Sequence, residues 1–568
     1  MLARVDDATI AYIADADARA IRIVDTGRMD ELATFTLPGA PAQLVMLADH
    51  RIAASLRDRD EVIVLAGSGL PGAPFTIAEH LAVATEPIGL ALAPDDRTLL
   101  VTSGWGHTLT TFAVPSLTLA NTWDTAPEPR AVTVTDEGRY AYVSHAVGQD
   151  LERIDLENAM THWISLAGRE EHRERHSEPE LLPRAACQGF ALAKSIAPAG
   201  RIYAPEVQVF SGEPTVASSG YGGGGGRMEP EVFDVAVVDE DQGTALRGSL
   251  DLLSFASSET RCVLPRAAAA SAEGSLFVAC LGDNRVVELD GVSAMPASAE
   301  IRTWVVPAGP TGIAIDEPNH RAIVWSQLAH KVTRIRTRGP TTIETVALED
   351  RSAMTEQIKR GRELFATVSD PRISGDGRAC ESCHPDGRQD TLVWSTPFGP
   401  RQTPMLAGRI AATAPYGWNG DATDLAAHLK RTFARLHGTG LTGADRDALI
   451  AYVMSLPAPP AEAPDAELVA QGEAIFGSED AGCSSCHGDD GRSPDGLRHD
   501  VKSATEGDRR RKFDTPSLAS LGGTAPYYHD GRFTTLRQLL VKSRGAMGQR
   551  RALTSQELDA LEAYLRSL

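Results

Sequence analysis

Over roughly the first 345 residues, apolar side chains fall in short β-branched or aromatic runs, each closed by a turn of Asp, Glu or Gly and followed by a second short run. Runs of this length between turn residues predict strands, and their regular recurrence predicts a repeat architecture. Clear copies are Thr98-Leu99-Leu100-Val101-Thr102 with Leu109-Thr110-Thr111-Phe112, and Tyr140-Ala141-Tyr142-Val143-Ser144 with Leu151-Glu152-Arg153-Ile154. Others lie at 274–280 and 320–325, each followed by its second run, with weaker ones near Tyr12, Ile52 and Tyr203. Seven phrases predict the seven blades of an all-β propeller, which closes radially and leaves only short edges. A pair of β-sandwiches is the rival arrangement. Several blades open on a proline, at Pro87, Pro129, Pro265 and Pro310. The fifth carries an insertion around 211–230 with five consecutive glycines at 222–226, which reads as a mobile loop.

Beyond residue 350 the period changes from that of a strand to that of a helix. The phrases at 357–365 and 468–476 each carry a glycine, Gly361 or Gly472, ahead of an apolar pair, Leu364/Phe365 or Ile475/Phe476. Each is answered about ninety residues later by a second amphipathic phrase, with Leu449, Tyr452, Val453 and Leu456 in one case and Leu561, Tyr564, Leu565 and Leu568 in the other. Between them stand Cys380-Glu381-Ser382-Cys383-His384 and Cys483-Ser484-Ser485-Cys486-His487. This spacing puts two thiols one helical turn apart to bond the vinyl groups of a haem, with the adjoining His as iron ligand. With 7 Cys and 15 His in 568 residues, roughly 0.002 such motifs are expected by chance, so two are not accidental. A zinc site or a redox dithiol leaves the His unexplained. Further matches, Thr403-Pro404-Met405-Leu406 with Thr515-Pro516-Ser517-Leu518 and Thr413-Ala414-Pro415-Tyr416 with Thr524-Ala525-Pro526-Tyr527, indicate duplication. The expected fold is therefore multidomain: a seven-bladed propeller over 1–345, then two α-helical cytochrome c domains at 352–457 and 465–568, carrying two covalent haem c groups.

The net charge of −21 argues against nucleic-acid binding, and the one short basic run, at 509–512, reads as a solvated loop. An acidic surface favours a basic redox partner. There is no apolar run long enough to span a membrane. Haem attachment to thiols takes place outside the bacterial cytoplasm, so a periplasmic or exported location is expected, although no signal peptide leads the sequence. Cys187, Cys262 and Cys280 remain. One disulfide, such as Cys187 to Cys262, is available to them, but three small buried core residues are the expected state.

The closing segment, with Thr-Pro-Ser-Leu at 515–518, Thr-Ala-Pro-Tyr-Tyr-His-Asp-Gly-Arg at 524–532 and the final amphipathic helix, resembles the bacterial dihaem cytochrome c peroxidase superfamily. The propeller phrases resemble the bacterial surface-layer propellers built on Tyr-Val-Thr-Asn-like repeats. The first resemblance implies electron entry at the C-terminal haem, ligated by His487 and Met547, and transfer past Trp418 to the His384 haem, where peroxide or a related oxidant is reduced. Counting back from the final helices puts His437 where a sixth ligand or acid/base group of the first haem would stand, with His428 as its rival. The superfamily also implies a calcium ion on backbone oxygens of Thr524 and Pro526, with Gln402 in place of the usual Asn. The propeller then docks a partner protein or covers the haem cleft. A non-catalytic electron-transfer cytochrome and a protein-modifying oxidase are the alternatives.

Overall fold

In the computed structural model, residues 1–5, 8–70, 72–148, 150–172, 180–212, 230–246, 262–543 and 545–568 are described. The glycine run at 222–226 lies outside them. The chain forms two compact units, Met1–Val209 with Glu231–Met354, and Phe210–Pro230 with Thr355–Leu568.

The first unit is a seven-bladed β-propeller. Six blades are four-stranded antiparallel sheets whose strands follow chain order, and the fifth is a five-stranded variant centred on Arg201–Val209 and Glu231–Asp239. Because the middle strands of each blade are covered on both faces, their runs are continuously apolar, as at Leu99, Leu100 and Val101. Successive side chains then serve opposite neighbours: Leu99 and Val101 pack towards blade 2, Leu100 towards blade 4. One apolar cluster fills each junction between consecutive blades. A last cluster, with Ala11, Ile13 and Val24 against Ile323, Trp325 and Val332, joins blade 7 to blade 1 and completes the ring. The prolines have a common role. Pro41, Pro87, Pro129, Pro265 and Pro310 each begin a first strand, and the pairing register shifts directly after each. A residue without an N–H fits a strand start, where no ladder bond is lost.

The cysteines differ from expectation. Cys262 and Cys280 form a disulfide, while Cys187 is buried outside it. The register supplies the reason. Cys280 ends the second strand of blade 6 opposite Pro265, and Cys262 lies three residues before that proline, on the adjacent chain.

In the second unit, α1 (Glu356–Ala366), α2 (Cys380–Cys383), α3 (Leu425–Arg435) and α4 (Gly443–Ser455) are followed by α5 (Ala466–Phe476), α6 (Ser484–His487), α7 (Leu536–Lys542) and α8 (Ser555–Ser567). One helix crossing occurs twice. Gly361 of α1 lies so close to α4 that an added Cβ would stand 2.0 Å from Ala448 O and 2.6 Å from Tyr452 Cβ. Gly472 of α5 meets Ala560 O at the same 2.0 Å and Tyr564 Cβ at 2.7 Å on α8. The aromatic pairs beside them match as well, Phe365–Tyr452 at 5.3 Å and Phe476–Tyr564 at 5.2 Å between ring centroids. The loops leading to α3 and α7 repeat in the same way. Both contain a cis Ala–Pro bond, at Pro415 and Pro526. In both, the next Tyr hydroxyl donates to the carbonyl of the residue six earlier, Ile410 or Leu521, at 3.1 Å. Gly420 (φ +56°) and Gly531 (φ +64°) turn each loop over its proline ring, in a conformation a side chain would strain. Among the described residues, no helix is long and apolar enough to cross a membrane.

Candidate functional site

The two Cys-x-x-Cys-His segments each form a short helix beside an apolar cluster. Cys380 packs against the cluster that holds Leu364, Phe365, Phe433, Leu449 and Val453, and Cys483 against the one that holds Phe476, Leu518, Leu539, Leu540 and Leu561. Burial pushes the Cys380 thiol up to about 12 and the Cys483 thiol up to about 11. A zinc site or a dithiol exchange centre needs accessible thiolate, and these surroundings disfavour it. They fit thiols joined covalently to an apolar ring system.

The two histidines are prepared alike. His384 Nδ1 lies 2.9 Å from Arg388 O, and the Pro404 carbonyl also faces it. His487 Nδ1 lies 3.0 Å from Pro516 O. Donation from Nδ1–H to a carbonyl leaves Nε2 with a lone pair, the tautomer an iron ligand requires. Burial holds His384 down at about 4 and lowers His487 too, so both imidazoles are neutral at physiological pH. The Pro carbonyls belong to the duplicated Thr-Pro segments, which explains why that dipeptide recurs at matching distance. The residues present thus fit two haem c groups.

Met547 is half-buried on the same apolar cluster as Cys483, and its neighbour Gly548 closes against Gly482, next to the first thiol. His428, on α3, packs with Tyr416 at 6.4 Å between ring centroids and sits beside Gly417. Burial pushes it down to about 4, and the nearby Arg435 and Arg431 guanidinium charges and the His384 imidazole act in the same direction, so it stands within electrostatic range of His384. His437, the residue counting favoured, is exposed on a left-handed turn just past α3 (φ +58°).

Trp418 lies where the two halves of this unit meet. Its indole N–H donates to Gln402 O at 2.8 Å, and its ring meets His529 edge-on at 6.3 Å. His529 in turn stacks on Phe513 at 3.9 Å and pairs with Asp508 at 2.9 Å, and Asp508 also receives Arg401 at 2.6 Å. Sequence reasoning did not find the Arg401–Asp508–His529 set; the only signal for it was the His within the duplicated loop, where the first half has Trp418. In the region expected to hold calcium, the Gln389 amide donates to Gly523 O at 3.3 Å and Ala525 O at 2.9 Å. These carbonyls flank Thr524 and are not the Thr524 and Pro526 oxygens expected to meet calcium; Thr524 Oγ1 donates to Leu521 O. The basic run at 509–512 is exposed, as a solvated loop should be.

The family model described as cytochrome c matches residues 469–568, so the C-terminal part of the chain is a cytochrome c domain, with the covalent haem c and haem-based electron transfer that such a domain carries. No curated protein matches the chain. Similar solved structures include hydrazine synthase from Kuenenia stuttgartiensis, at 13% identity and a TM-score of 0.46, covering 58% of this chain and 92% of that one. A functionally unknown protein from Desulfotomaculum acetoxidans is similar at 9% identity and a TM-score of 0.41, over 60% of this chain and 99% of that one. Virginiamycin B lyase from Staphylococcus aureus follows at 10% identity and a TM-score of 0.37, over 57% of this chain and 90% of that one.

Proposed function

We propose, from the C-terminal cytochrome c domain as premise, that this chain is a dihaem c-type oxidoreductase of the cytochrome c peroxidase type. In this reading residues 352–457 are a second cytochrome c domain. The C-terminal half accepts electrons from a basic redox partner, and the first half delivers them to hydrogen peroxide or a related oxidant. The observation that carries the reading is the repeated frame: the same glycine-mediated helix crossing, cis-proline loop and carbonyl-held histidine occur around Cys380/Cys383/His384 and around Cys483/Cys486/His487.

A haem c, when bound, supplies one-electron transfer and, where an iron position is open, reduction of an oxidant. The chain's own residues divide the rest. His384 and His487 present Nε2 as proximal ligands, and Met547 is assigned as the sixth ligand of the C-terminal site. His428 is assigned to the distal side of the first site in preference to His437, since it is the one directed inward. Trp418 and His529 provide an aromatic bridge between the halves, and the Arg401–Asp508 pair fixes His529 against Phe513. Calcium on the backbone oxygens of Thr524 and Pro526 stays an accessory part of the proposal; the Gln389 amide occupies the neighbouring carbonyls of Gly523 and Ala525. The propeller, of the Tyr-Val-Thr-Asn-like type, serves as a docking platform. A periplasmic or exported location is supported by the Cys262–Cys280 disulfide, which an oxidising compartment maintains.

The position of His428 also favours a second reading, an electron-transfer cytochrome whose first site is closed by two imidazoles. Replacing His428 with Ala and recording spin state together with peroxide consumption separates the two. The peroxidase-type reading expects turnover in the parent protein after partial reduction, and a high-spin first site in the variant. Two low-spin centres at every redox level with no peroxide turnover exclude it.

A further inference from the structure

The joint between blade 7 and blade 1 carries a polar cluster that the electron-transfer chemistry does not use. In both blades the four strands are consecutive in sequence, so neither blade borrows a strand from the other to lock the ring. Side chains hold the joint instead. Besides the apolar cluster, Arg334 donates to Thr26 O and Gly27 O, each at 2.7 Å, and Arg22 donates to Glu349 O at 2.6 Å.

Asp15 ends the strand Ala8–Asp15, Asp17 stands in the turn that follows, and His330 occupies the corresponding turn of blade 7, between Arg321–Ser326 and Lys331–Arg336. A carboxylate oxygen from each aspartate and an imidazole nitrogen lie within 4.8 Å of one another. His330 is only 6% exposed, and its Nδ1 is buried without a hydrogen-bond partner. The other ring nitrogen, Nε2, lies 3.3 Å from Asp350 Oδ1. A carboxylate facing one imidazole nitrogen while the second keeps a buried free lone pair is how metal-binding histidines are set up. A buried polar atom is ordinarily paired, so an unpartnered imidazole nitrogen beside two aspartates points to a ligand.

The local charge points the same way. Asp15, Asp17, Glu31 and Asp350 bring four carboxylates to this joint, and the Arg22 guanidinium bonds Asp15 Oδ2 at 2.9 Å and Glu31 Oε1 at 3.0 Å. Asp15 Oδ1 accepts the Ala18 N–H at 3.1 Å, and a carboxylate with two such partners still has lone pairs to offer. A nitrogen donor beside two carboxylates selects zinc and its neighbours over calcium and magnesium, which favour oxygen alone. We propose that Asp15, Asp17 and His330 bind one divalent transition-metal ion of the zinc class, which staples blade 7 to blade 1 and closes the propeller.

The test is calorimetric titration of ZnCl2 into the full-length haem-loaded protein after chelator treatment, with haem absorbance as an internal check on integrity. One zinc site is expected in the parent. Asp17→Asn is expected to weaken it at least tenfold and His330→Ala to remove it, both at unchanged haem content, while His499→Ala, which alters the exposed Asp495/His499 group near the second haem motif, leaves it intact. Zinc is further expected to raise the propeller's unfolding temperature in the parent and not in Asp17→Asn. Should His330→Ala fail to fold, Asp17→Asn, in a half-exposed turn, carries the test by itself. Absence of zinc binding by the parent, equal affinity in the Asp17 variant, or loss of the site on changing His499 overturns the proposal.

Discussion

Gly472→Ala isolates the contact on which the C-terminal fold turns. The added methyl would stand 2.0 Å from Ala560 O and 2.7 Å from Tyr564 Cβ, and both belong to α8. Reaching an ordinary contact of about 3.5 Å requires the helices to part by roughly 1.5 Å. The obstacle is backbone, so no side-chain rotation relieves it, and the Phe476–Tyr564 contact at 5.2 Å opens with it. Overpacking of this kind costs about 1–3 kcal/mol, and the upper end applies. Alanine's better helix propensity returns about 1 kcal/mol. The net loss of about 2 kcal/mol corresponds to a fall of roughly 8–16 °C in a domain of this size. Gly477→Ala is the control: its Cβ would meet nothing closer than Glu473 O at 3.6 Å, and its backbone is right-handed (φ −74°), so stability should hold or rise slightly. Scanning calorimetry of the haem-loaded protein, with Soret absorbance to identify the transition, measures both. A Gly472→Ala transition within about 2 °C of the parent, or an equal loss from Gly477→Ala, refutes the reasoning.

Gly361→Ala should lower the transition of the first half to a similar extent, since the same 2.0 Å approach to α4 is lost. In blade 5, burial pushes Asp234 up to about 8 from 3.8, so the folded chain keeps a proton the unfolded chain releases. The contribution of this proton to propeller stability is therefore full below about pH 4 and is lost as the pH rises to about 8, an effect of the order of a few kcal/mol, and Asp234→Asn should remove that part of the slope in a calorimetric pH series. Asp508→Ala leaves the Arg401 guanidinium buried and unpaired, which should cost about 3–5 kcal/mol in urea unfolding, far more than an exposed pair. Trp418→Phe removes the bond to Gln402 O and about 1 kcal/mol of stability. In stopped-flow reduction it should slow electron equilibration between the halves, and an unchanged rate would exclude Trp418 as the bridge.

The propeller was legible because its middle strands are buried on both faces, which writes continuous apolar phrases such as Leu99-Leu100-Val101 into the chain, and because Pro87, Pro129, Pro265 and Pro310 mark where strands begin. The paired helix frame was legible for a different reason: Gly361 and Gly472 sit ahead of aromatic residues that must meet a partner helix. What escaped depended on contacts distant in sequence. The Cys262–Cys280 link follows from the register of blade 6, and the packing of His428 on Tyr416 follows from how α3 folds back on the loop before it. The Asp508 carboxylate lies just before a basic run that reads as surface, yet its side chain is fully buried between Arg401 and His529.

Intact mass of the purified protein under denaturing conditions tests the central claim most directly, since only covalent groups survive it. The account predicts an increment of two haem groups, falling to one when Cys380 and Cys383 are both replaced by Ser and likewise when Cys483 and Cys486 are. A parent protein carrying one haem or none, or a haem count that does not change when Cys380 and Cys383 are replaced, would contradict it.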